Sequence, residues 1–250
     1  MSENSEMSFW DHLEVLRWSF FRVLIVLVVV FIIAFAFMPH IFDSVIMSAS
    51  KSDFFVYRWL SGIFPSDFNI DIININVTTP FFTHMKVSFW LALLFIFPYL
   101  LYEIWRFVSP ALYDNEKKGV RVAFLGVAFL FYMGCVVGYI LVFPLTFRFL
   151  AGYQLGQDIA TQISLDSYMS TFLSIVFIMG LVFEIPVLAW LLSSLGILHK
   201  DTLKKYRKHA VVILLIVAAV ITPTGDPFTL AVVFLPIYLL YELSILIVKE

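Results

Sequence analysis

The chain has 250 residues, of which 62% are hydrophobic and only 14% are charged, and its formal net charge is -2. A soluble domain carries nearer 25% charged residues, so this composition excludes an ordinary soluble protein. Apolar runs of about 20 residues can cross a ~30 Å hydrocarbon layer as helices, and the alternating ten-residue segments of an outer-membrane barrel are absent. We therefore expect an all-α polytopic membrane protein with a single membrane domain over residues 1–250.

Six apolar runs predict six transmembrane helices. In the polar tail before the first run, Phe9, Trp10, Leu13 and Leu16 have helical spacing, which predicts an interfacial helix. The first run is too long for the core of a signal peptide, so we expect it to remain as an anchor. The fifth run is too short to cross fully, and is expected to form half of a re-entrant hairpin or to lie where the bilayer is thin. The predicted spans are residues 18–38, 87–106, 121–142, 168–195, 209–223 and 228–247.

Glycine, proline and alternation patterns predict how these spans are shaped and connected. Residues 39–86 are aromatic and predict an outer cap, in which the alternation over residues 68–77 indicates a short strand or extended segment. Proline is expected to bend or end the second span at Pro98. We expect Phe143-Pro144 to stop the third span, with residues 145–166 as a second outer loop. Gly134 and Gly138, four residues apart, favour close helix contact.

The distribution of Lys and Arg predicts the orientation. With the N-terminus inside, the cytoplasmic face collects 12 of the 16 Lys and Arg residues, and the outer face has 4. This asymmetry follows the positive-inside rule and predicts that both termini are cytoplasmic. The cytoplasmic loops are then residues 102–121 and 199–209.

The first of these loops is the most informative polar segment. Residues 102–121 hold two acids without an obligatory local partner, Glu103 and Glu116, among basic and aromatic side chains. One interpretation is a solvated loop with snorkelling charges; the other is a docking surface at the membrane face. Carboxylates at a low-dielectric interface suit a guanidinium ligand, and a basic peptide with a hydrophobic tail is what a signal peptide looks like.

One acid lies deep in a predicted span. Glu184 precedes Ile185-Pro186, and a carboxylate at a helix centre costs ~2.5–3.5 kcal/mol on insertion scales. It is either a protonated acid bonded to a neighbouring helix or a polar contact in a membrane groove. Pro186 favours the second interpretation, because it frees the carbonyl of Val182. A proton-coupled small-solute carrier using Glu184 is the alternative function.

An enzyme is not expected. The sequence has no metal-binding His/Glu motif, no Walker loop and no histidine in mid-span. An intramembrane protease would need a nucleophile and base pair, which is missing. The single cysteine, Cys135, excludes an intrachain disulfide and disfavours a cysteine-based metal site. We expect no metal, no cofactor and no nucleic-acid partner.

Several short motifs together resemble TatC, the signal-peptide receptor of the twin-arginine protein translocase. Each is weak alone, but they span nearly the whole chain in the family's order. They are HLEVLR from His12, PFFT from Pro80 with Lys86, YEIW from Tyr102 leading to SPALY and Glu116-Lys117-Lys118, VFPL from Val142, the Gly180 to Pro186 segment with Phe183-Glu184, and Thr222-Pro223 followed by Asp226.

The resemblance implies a fold and a function. The six helices would form a concave cup or glove in the bacterial inner membrane, with no catalytic activity. The protein would bind twin-arginine signal peptides of folded proteins and nucleate assembly with single-span TatA/TatB-type subunits; self-association stays open. Residue by residue, Glu116 matches the family's acid for the paired arginines, with Glu103, Glu14 and Arg17 as further candidates. Glu184 and Pro186 match a motif facing the concave side, where the signal peptide or partner helices lie.

The chain departs from the family pattern at one acid. The acid of the family's HLxELR motif falls at Val15, which cannot bind a cation. Glu14 is adjacent but about 100° away around a helix. Either the tail rotates so that Glu14 substitutes, or this contact is lost and Glu116 carries more of the binding. The first outer loop also differs from the family in length and aromatic content.

Overall fold

The fold, in a computed structural model of the chain, consists almost entirely of helices. The structure describes residues 9–51, 54–59, 71–109, 114–153, 162–194, 196–222 and 225–248. Its α-helices are α1 (Phe9–Ile41), α2 (Phe55–Trp59), α3 (Thr79–Val108), α4 (Asp114–Val137), α5 (Phe143–Gly152), α6 (Leu165–Val182), α7 (Ile185–Ser194), α8 (Lys200–Lys205), α9 (Arg207–Ile221) and α10 (Pro227–Ile247). Two strands, β1 (Ile72–Ile73) and β2 (Ile163–Ser164), pair in parallel. β1 lies in the segment where alternation predicted an extended chain; residues 68–70 of that segment are outside the described residues.

Five helical segments of the described chain are long and apolar enough to cross a membrane. The chain is therefore an all-α polytopic membrane protein, as expected. In the region of the short fifth run, α9 has 15 residues, which is roughly 22 Å at 1.5 Å per residue. The number of crossings, their exact limits and the orientation remain predictions. The five segments are Leu13–Tyr57, Thr79–Val108, Ala123–Gly152, Leu165–Ser194 and Pro227–Ile247.

The third membrane segment continues past the proline that was expected to stop it. A π-helical turn, Gly138–Val142, follows α4 and leads directly into α5, where Pro144 lies in the first turn. Proline is tolerated there because the N–H it lacks would have no partner in the first turn of a helix. The prediction of an outer loop from residue 145 is therefore wrong as far as Gly152. Pro98 likewise does not end α3, which continues to Val108.

The predicted cytoplasmic loop 102–121 is mostly helical, so its interpretation as one long loop is wrong. α3 runs to Val108, and α4 begins at Asp114. Proline at position 110 has no N–H to continue the hydrogen bonding of α3. α4 then begins with Asp114 and Glu116 in its first turn, where acidic residue types favour the start of a helix.

Neighbouring helices supply donors to carbonyls that two prolines set free. Pro39 cannot donate to the carbonyl of Phe35, and the ring Nε2 of His84 lies 2.9 Å from that oxygen. Pro98 cannot donate to the carbonyl of Leu94, and the hydroxyl of Tyr132 donates to it at 2.9 Å. These contacts join α1 to α3 and α3 to α4.

Tyrosine hydroxyls also cap the chain after α1. A π-helical turn, Phe42–Ile46, and a 3₁₀ turn, Met47–Ser50, follow α1, and three carbonyls of these turns accept a hydrogen bond from a tyrosine hydroxyl. These bonds connect the two turns to the π-helical turn Gly138–Val142, to α6 and to α2. The bonds are Tyr139 to Val45 at 2.7 Å, Tyr168 to Ile46 at 2.6 Å and Tyr57 to Ala49 at 2.8 Å.

The contact between α4 and α6 is close because it is made at glycines. A Cβ on Gly134 would lie 2.5 Å from the carbonyl oxygen of Met179, and one on Gly180 would lie 2.7 Å from Sγ of Cys135. Gly138 is similarly crowded by the backbone of Val176. This confirms the close contact expected from the spacing of Gly134 and Gly138, and adds Gly180 as the facing residue.

Candidate functional site

The N-terminal part of α1 presents an exposed acid and base. The arm, which we define as residues 9–18 of α1, carries Glu14 and Arg17 with side chains 61% and 60% exposed. Their ion pair measures 3.3 Å between Glu14 Oε1 and an Arg17 terminal nitrogen. Such an exposed pair contributes little to stability, so both groups are free to exchange with a charged ligand. Glu14 is thus an accessible carboxylate one residue before Val15.

Glu103 has a different environment from the one that the sequence predicted. It is 3% exposed, and its carboxylate accepts two hydrogen bonds from Arg22, from Nε at 2.9 Å and from a terminal nitrogen at 2.8 Å. The hydroxyl of Tyr99 donates a third bond at 3.0 Å. The same Arg22 nitrogen also donates to the hydroxyl of Ser19 at 2.9 Å. The expectation that Glu103 lacks a local partner is therefore wrong: α1 supplies a guanidinium to it.

Sequence reasoning missed Arg22, Ser19 and Tyr99 as members of this cluster. A signal was present, because an arginine five residues inside an apolar run needs a polar partner. Glu103 falls in both the predicted span 87–106 and the predicted loop 102–121, and neither prediction identifies a partner on the first span. The two residues of the pair are 81 positions apart in sequence.

Glu116 lies in the first turn of α4, after the α3–α4 connection, residues 109–113. The structure describes its backbone, but its side chain is outside the described residues. The packing of α1 against α3 shows at which end of the molecule the backbone of Glu116 lies. α1 and α3 are antiparallel, since Arg22 meets Glu103 near one end and Phe35 meets His84 near the other. The arm and the C-terminal end of α3 therefore lie at the same end of these two helices, and five residues separate that end of α3 from the start of α4.

Glu184 lies at the joint between α6 and α7. α6 ends at Val182 and α7 begins at Ile185, because Pro186 has no N–H for the carbonyl of Val182. The side chain of Glu184 is 8% exposed and faces the backbone of Phe131 on α4. Neither carboxyl oxygen has a hydrogen-bond partner among the described residues. An unpartnered buried carboxyl is costly, so this position favours a polar ligand group or a bound proton.

Two apolar cavities lie between the helices of the described chain. One, of about 380 Å³, is bounded by α4, α7 and α10 and includes Pro186 and Trp190 in its wall. The other, of about 250 Å³, lies between the end of α1, α3, α4 and α6. Glu184 lines neither, so the structure separates it from its neighbour Pro186. Within the described residues, no group of three or more His, Cys, Asp or Glu side chains could hold a metal ion.

Comparison with known proteins gives consistent matches along the chain. Residues 11–236 match the family model described as Sec-independent protein translocase protein (TatC). The chain is 33% identical to the Sec-independent protein translocase protein TatC of Blattabacterium sp. subsp. Periplaneta americana (strain BPLAN), over 98% of this chain and 96% of the relative. It is 35% identical to the TatC protein of Campylobacter jejuni subsp. jejuni serotype O:2, over 96% of this chain and 92% of the relative.

Solved structures agree with this result. A crystal structure of the twin arginine translocase receptor TatC in DDM superimposes with a TM-score of 0.75 at 31% identity, over 96% of this chain and 100% of that one. A second crystal structure of the TatC receptor has a TM-score of 0.72 at 31% identity, over 94% of this chain and 97% of that one. The similarity thus covers both sequence and fold.

Proposed function

The chain belongs to the TatC family of Sec-independent protein translocases, and from this we propose that it is the membrane receptor for twin-arginine signal peptides. It is a multi-pass membrane protein and a component of a Tat translocase, which is a protein-transport system. The finer role is the proposal: recognition of the paired arginines at the cytoplasmic face of the inner membrane, followed by assembly with single-span TatA/TatB-type subunits. The small-solute carrier has no comparable support.

The observation that carries the proposal is that the arm and the C-terminal end of α3 lie at one end of the antiparallel pair α1 and α3. Glu14 is exposed on the arm, and Glu116 follows the connection in the first turn of α4. Two carboxylates presented from two segments suit two consecutive arginines, because each guanidinium can form a bidentate bond to a carboxylate. Arg17, which pairs with Glu14, would be displaced by a ligand arginine.

Glu103 has a supporting role in this proposal rather than a direct one. Its carboxylate is buried, and its oxygens already accept bonds from Arg22 and Tyr99. Glu14 and Glu116 are therefore the acids proposed to contact the ligand. This arrangement also favours the case in which Glu14 substitutes for the family acid that is missing at Val15.

Glu184 is proposed as the contact for a second part of the function within the membrane. Its buried carboxyl has no partner in the described chain, so a polar side chain on an incoming helix would gain a hydrogen bond there. The incoming helix would be the apolar part of a signal peptide or the span of a partner subunit. Pro186, at the same joint, contributes to the wall of the larger cavity.

The proposal is tested by measuring the affinity of a fluorescent twin-arginine peptide for the protein in lipid nanodiscs. Glu116→Gln is expected to weaken binding at least about tenfold, since a charge-assisted bond contributes ~1.5–3 kcal/mol. Asp166→Asn is the matched control. Asp166 is an exposed acid of α6 that pairs with Lys86, and Lys86 lies near the end of α3 that is opposite to Glu103. Equal affinities of the wild type and Glu116→Gln would contradict the assignment.

A further inference from the structure

The cytoplasmic half of α1 is weakly anchored by apolar contacts. α1 packs mainly against α3. Between positions 13 and 30, where the structure describes every side chain of α1, Ser19 is the only buried residue. Lipid tails are as apolar as the helix surface, so burial of apolar area does not hold two helices together in a membrane. Polar contacts therefore add to the van der Waals packing that fixes this half of α1 against α3.

One polar cluster makes that contact. Arg22, with a side chain 34% exposed, donates two parallel hydrogen bonds to Glu103. Ser19 of α1 accepts a hydrogen bond from Arg22, and Tyr99 of α3 donates one to Glu103. The planar fork of arginine on a carboxylate restrains orientation as well as distance. A single bidentate pair can therefore set both the rotation of α1 and its position along α3.

The cluster lies beside both halves of the proposed signal-peptide site. Arg22 is eight residues after Glu14, which is roughly 12 Å along the helix. Glu103 is five residues before the end of α3 and thus just before the α3–α4 connection that leads to Glu116. A change in the angle between α1 and α3 at this point would move Glu14 relative to the start of α4.

We propose that the Arg22–Glu103 pair is the joint that holds the arm and the C-terminal end of α3 in a fixed relation, so that the signal-peptide site exists before the peptide arrives. Arg22 and Glu103 are positioning residues: they do not touch the ligand. The inference rests on the proposed function, because it concerns the geometry of that same site. The competing role is direct contact, in which a ligand arginine replaces Arg22 on Glu103.

Charge reversal separates positioning from contact. The variants are Arg22→Glu, Glu103→Arg and the double exchange, each measured in nanodiscs for affinity toward an Arg-Arg peptide and its Lys-Lys counterpart. Each single reversal places like charges together and is expected to weaken Arg-Arg binding at least about tenfold. The double exchange restores an ion pair of opposite direction and is expected to recover binding to within about threefold of wild type.

A distance measurement gives a second readout, independent of the ligand. Spin labels at Leu16 on the arm and Leu125 on α4, both exposed, report the relation of the two segments in a Cys135→Ala background. The distance distribution is expected to broaden in each single reversal and to narrow again in the double exchange. Arg22→Lys keeps the positive charge but loses the bidentate guanidinium, so it is expected to give intermediate affinity and an intermediate distance distribution. This variant replaces the charge reversals if one of them does not fold.

Each contrary outcome has a defined meaning. If the double exchange regains a narrow distance distribution but not affinity, Glu103 contacts the ligand and the positioning role is overturned. The role is also overturned if single reversals leave both readouts unchanged. Lys86→Glu is the control. Lys86 lies near the start of α3 and forms an exposed ion pair with Asp166 of α6, so its reversal should change neither the affinity nor the distance distribution. If wild-type protein binds Arg-Arg and Lys-Lys peptides equally, the proposed function fails, while the distance data still report the joint.

Discussion

Acidic residues in this chain occupy three environments, and the environment decides what each can do. Glu14 is open to solvent, Glu103 is buried and paired with Arg22, and Glu184 is buried without a partner among the described residues. A cationic ligand reaches the first without displacing a buried group. The second stabilises the helix pair, since removing one partner of a buried pair leaves an uncompensated charge. The third faces the backbone of Phe131, and in the proposed function it is the contact for an added polar group.

Glu184→Leu is predicted to raise the stability of the protein and to weaken its assembly with partner subunits. Because neither carboxyl oxygen has a partner in the described chain, an apolar side chain of similar volume should raise the free energy of unfolding by about 1 kcal/mol or more. The thermal midpoint in detergent should therefore rise, while copurification of single-span partner subunits should fall. Glu242→Leu is the contrasting variant, because Glu242 binds Arg207 and Tyr238 and its loss should lower the midpoint. A lower midpoint for Glu184→Leu would mean that the carboxyl has a partner.

For single side chains, the sequence predicted exposure to solvent better than it predicted hydrogen-bond partners. Glu14 and Arg17 are on an exposed helical arm, as the amphipathic spacing indicated. The pairing of Glu103 was not predictable in the same way, because it depends on the contact between two helices that are far apart in sequence. The side chain of Glu116 is outside the described residues, so its role stays a prediction.

At Pro39 in α1 and Pro98 in α3, the helix continues through the proline, and a side chain of an adjacent helix binds the freed carbonyl. The freed carbonyls of Phe35 and Leu94 meet His84 and Tyr132 from adjacent helices. In a membrane, water is not available to satisfy such groups, so a neighbouring side chain is needed. At Pro39 and Pro98, proline therefore coincides with a helix contact rather than a helix end, whereas Pro186 separates α6 from α7. A stop at Pro98 could therefore not be inferred from local sequence alone, and Pro144 does not stop its helix because it lies in the first turn of α5.

The Tyr132 contact can be tested by a double-mutant cycle. Tyr132→Phe leaves the carbonyl of Leu94 without its donor and should cost about 1–2 kcal/mol of unfolding free energy in mixed micelles. Pro98→Ala supplies a backbone N–H to that carbonyl, so the loss should be much smaller in the Pro98→Ala background. Tyr153→Phe is the control, because Tyr153 is exposed. An equal loss in both backgrounds would show that Tyr132 acts through another contact.

The glycine contact between α4 and α6 gives a second prediction for helix packing. Gly134→Ala places a Cβ against the backbone of α6, which cannot give way easily, and should cost about 2–3 kcal/mol of unfolding free energy. Gly152→Ala, in open space near the end of α5, should be neutral or slightly stabilising. Thermal unfolding of both variants in the same detergent measures the difference. Similar midpoints would mean that the two helices separate at little cost.

For the whole molecule, composition and hydropathy were sufficient to predict a helical membrane protein, and the motifs were sufficient to predict the family. What they could not give is the three-dimensional relation of the segments. The polar stretch 102–121 looked like a loop, yet most of it extends α3 and α4. This extension carries Glu103 onto the flank of α1, where Arg22 binds it. Long-range pairing, rather than local propensity, built the cluster.

The orientation is a prediction for the whole molecule that single cysteines can test. In a Cys135→Ala background, a cysteine at Val77 should react with an impermeant thiol reagent in intact cells. A cysteine at Tyr206, in the basic segment before α9, should react only after the membrane is permeabilised, because positive loops remain cytoplasmic. Both positions are exposed in the structure, so access to the reagent depends on the side of the membrane. The reverse pattern would invert the topology and move the proposed site to the outside.

The most direct test of the receptor role is site-specific photocrosslinking in native membranes. A photoreactive residue at position 117, next to Glu116, is offered a signal peptide with Arg-Arg or the same peptide with Lys-Lys. We predict crosslinks with Arg-Arg that are lost with Lys-Lys, because only the guanidinium fork matches a carboxylate bidentately. Equal crosslinking with both peptides, or none with either, would contradict recognition of twin arginines at this end of the molecule.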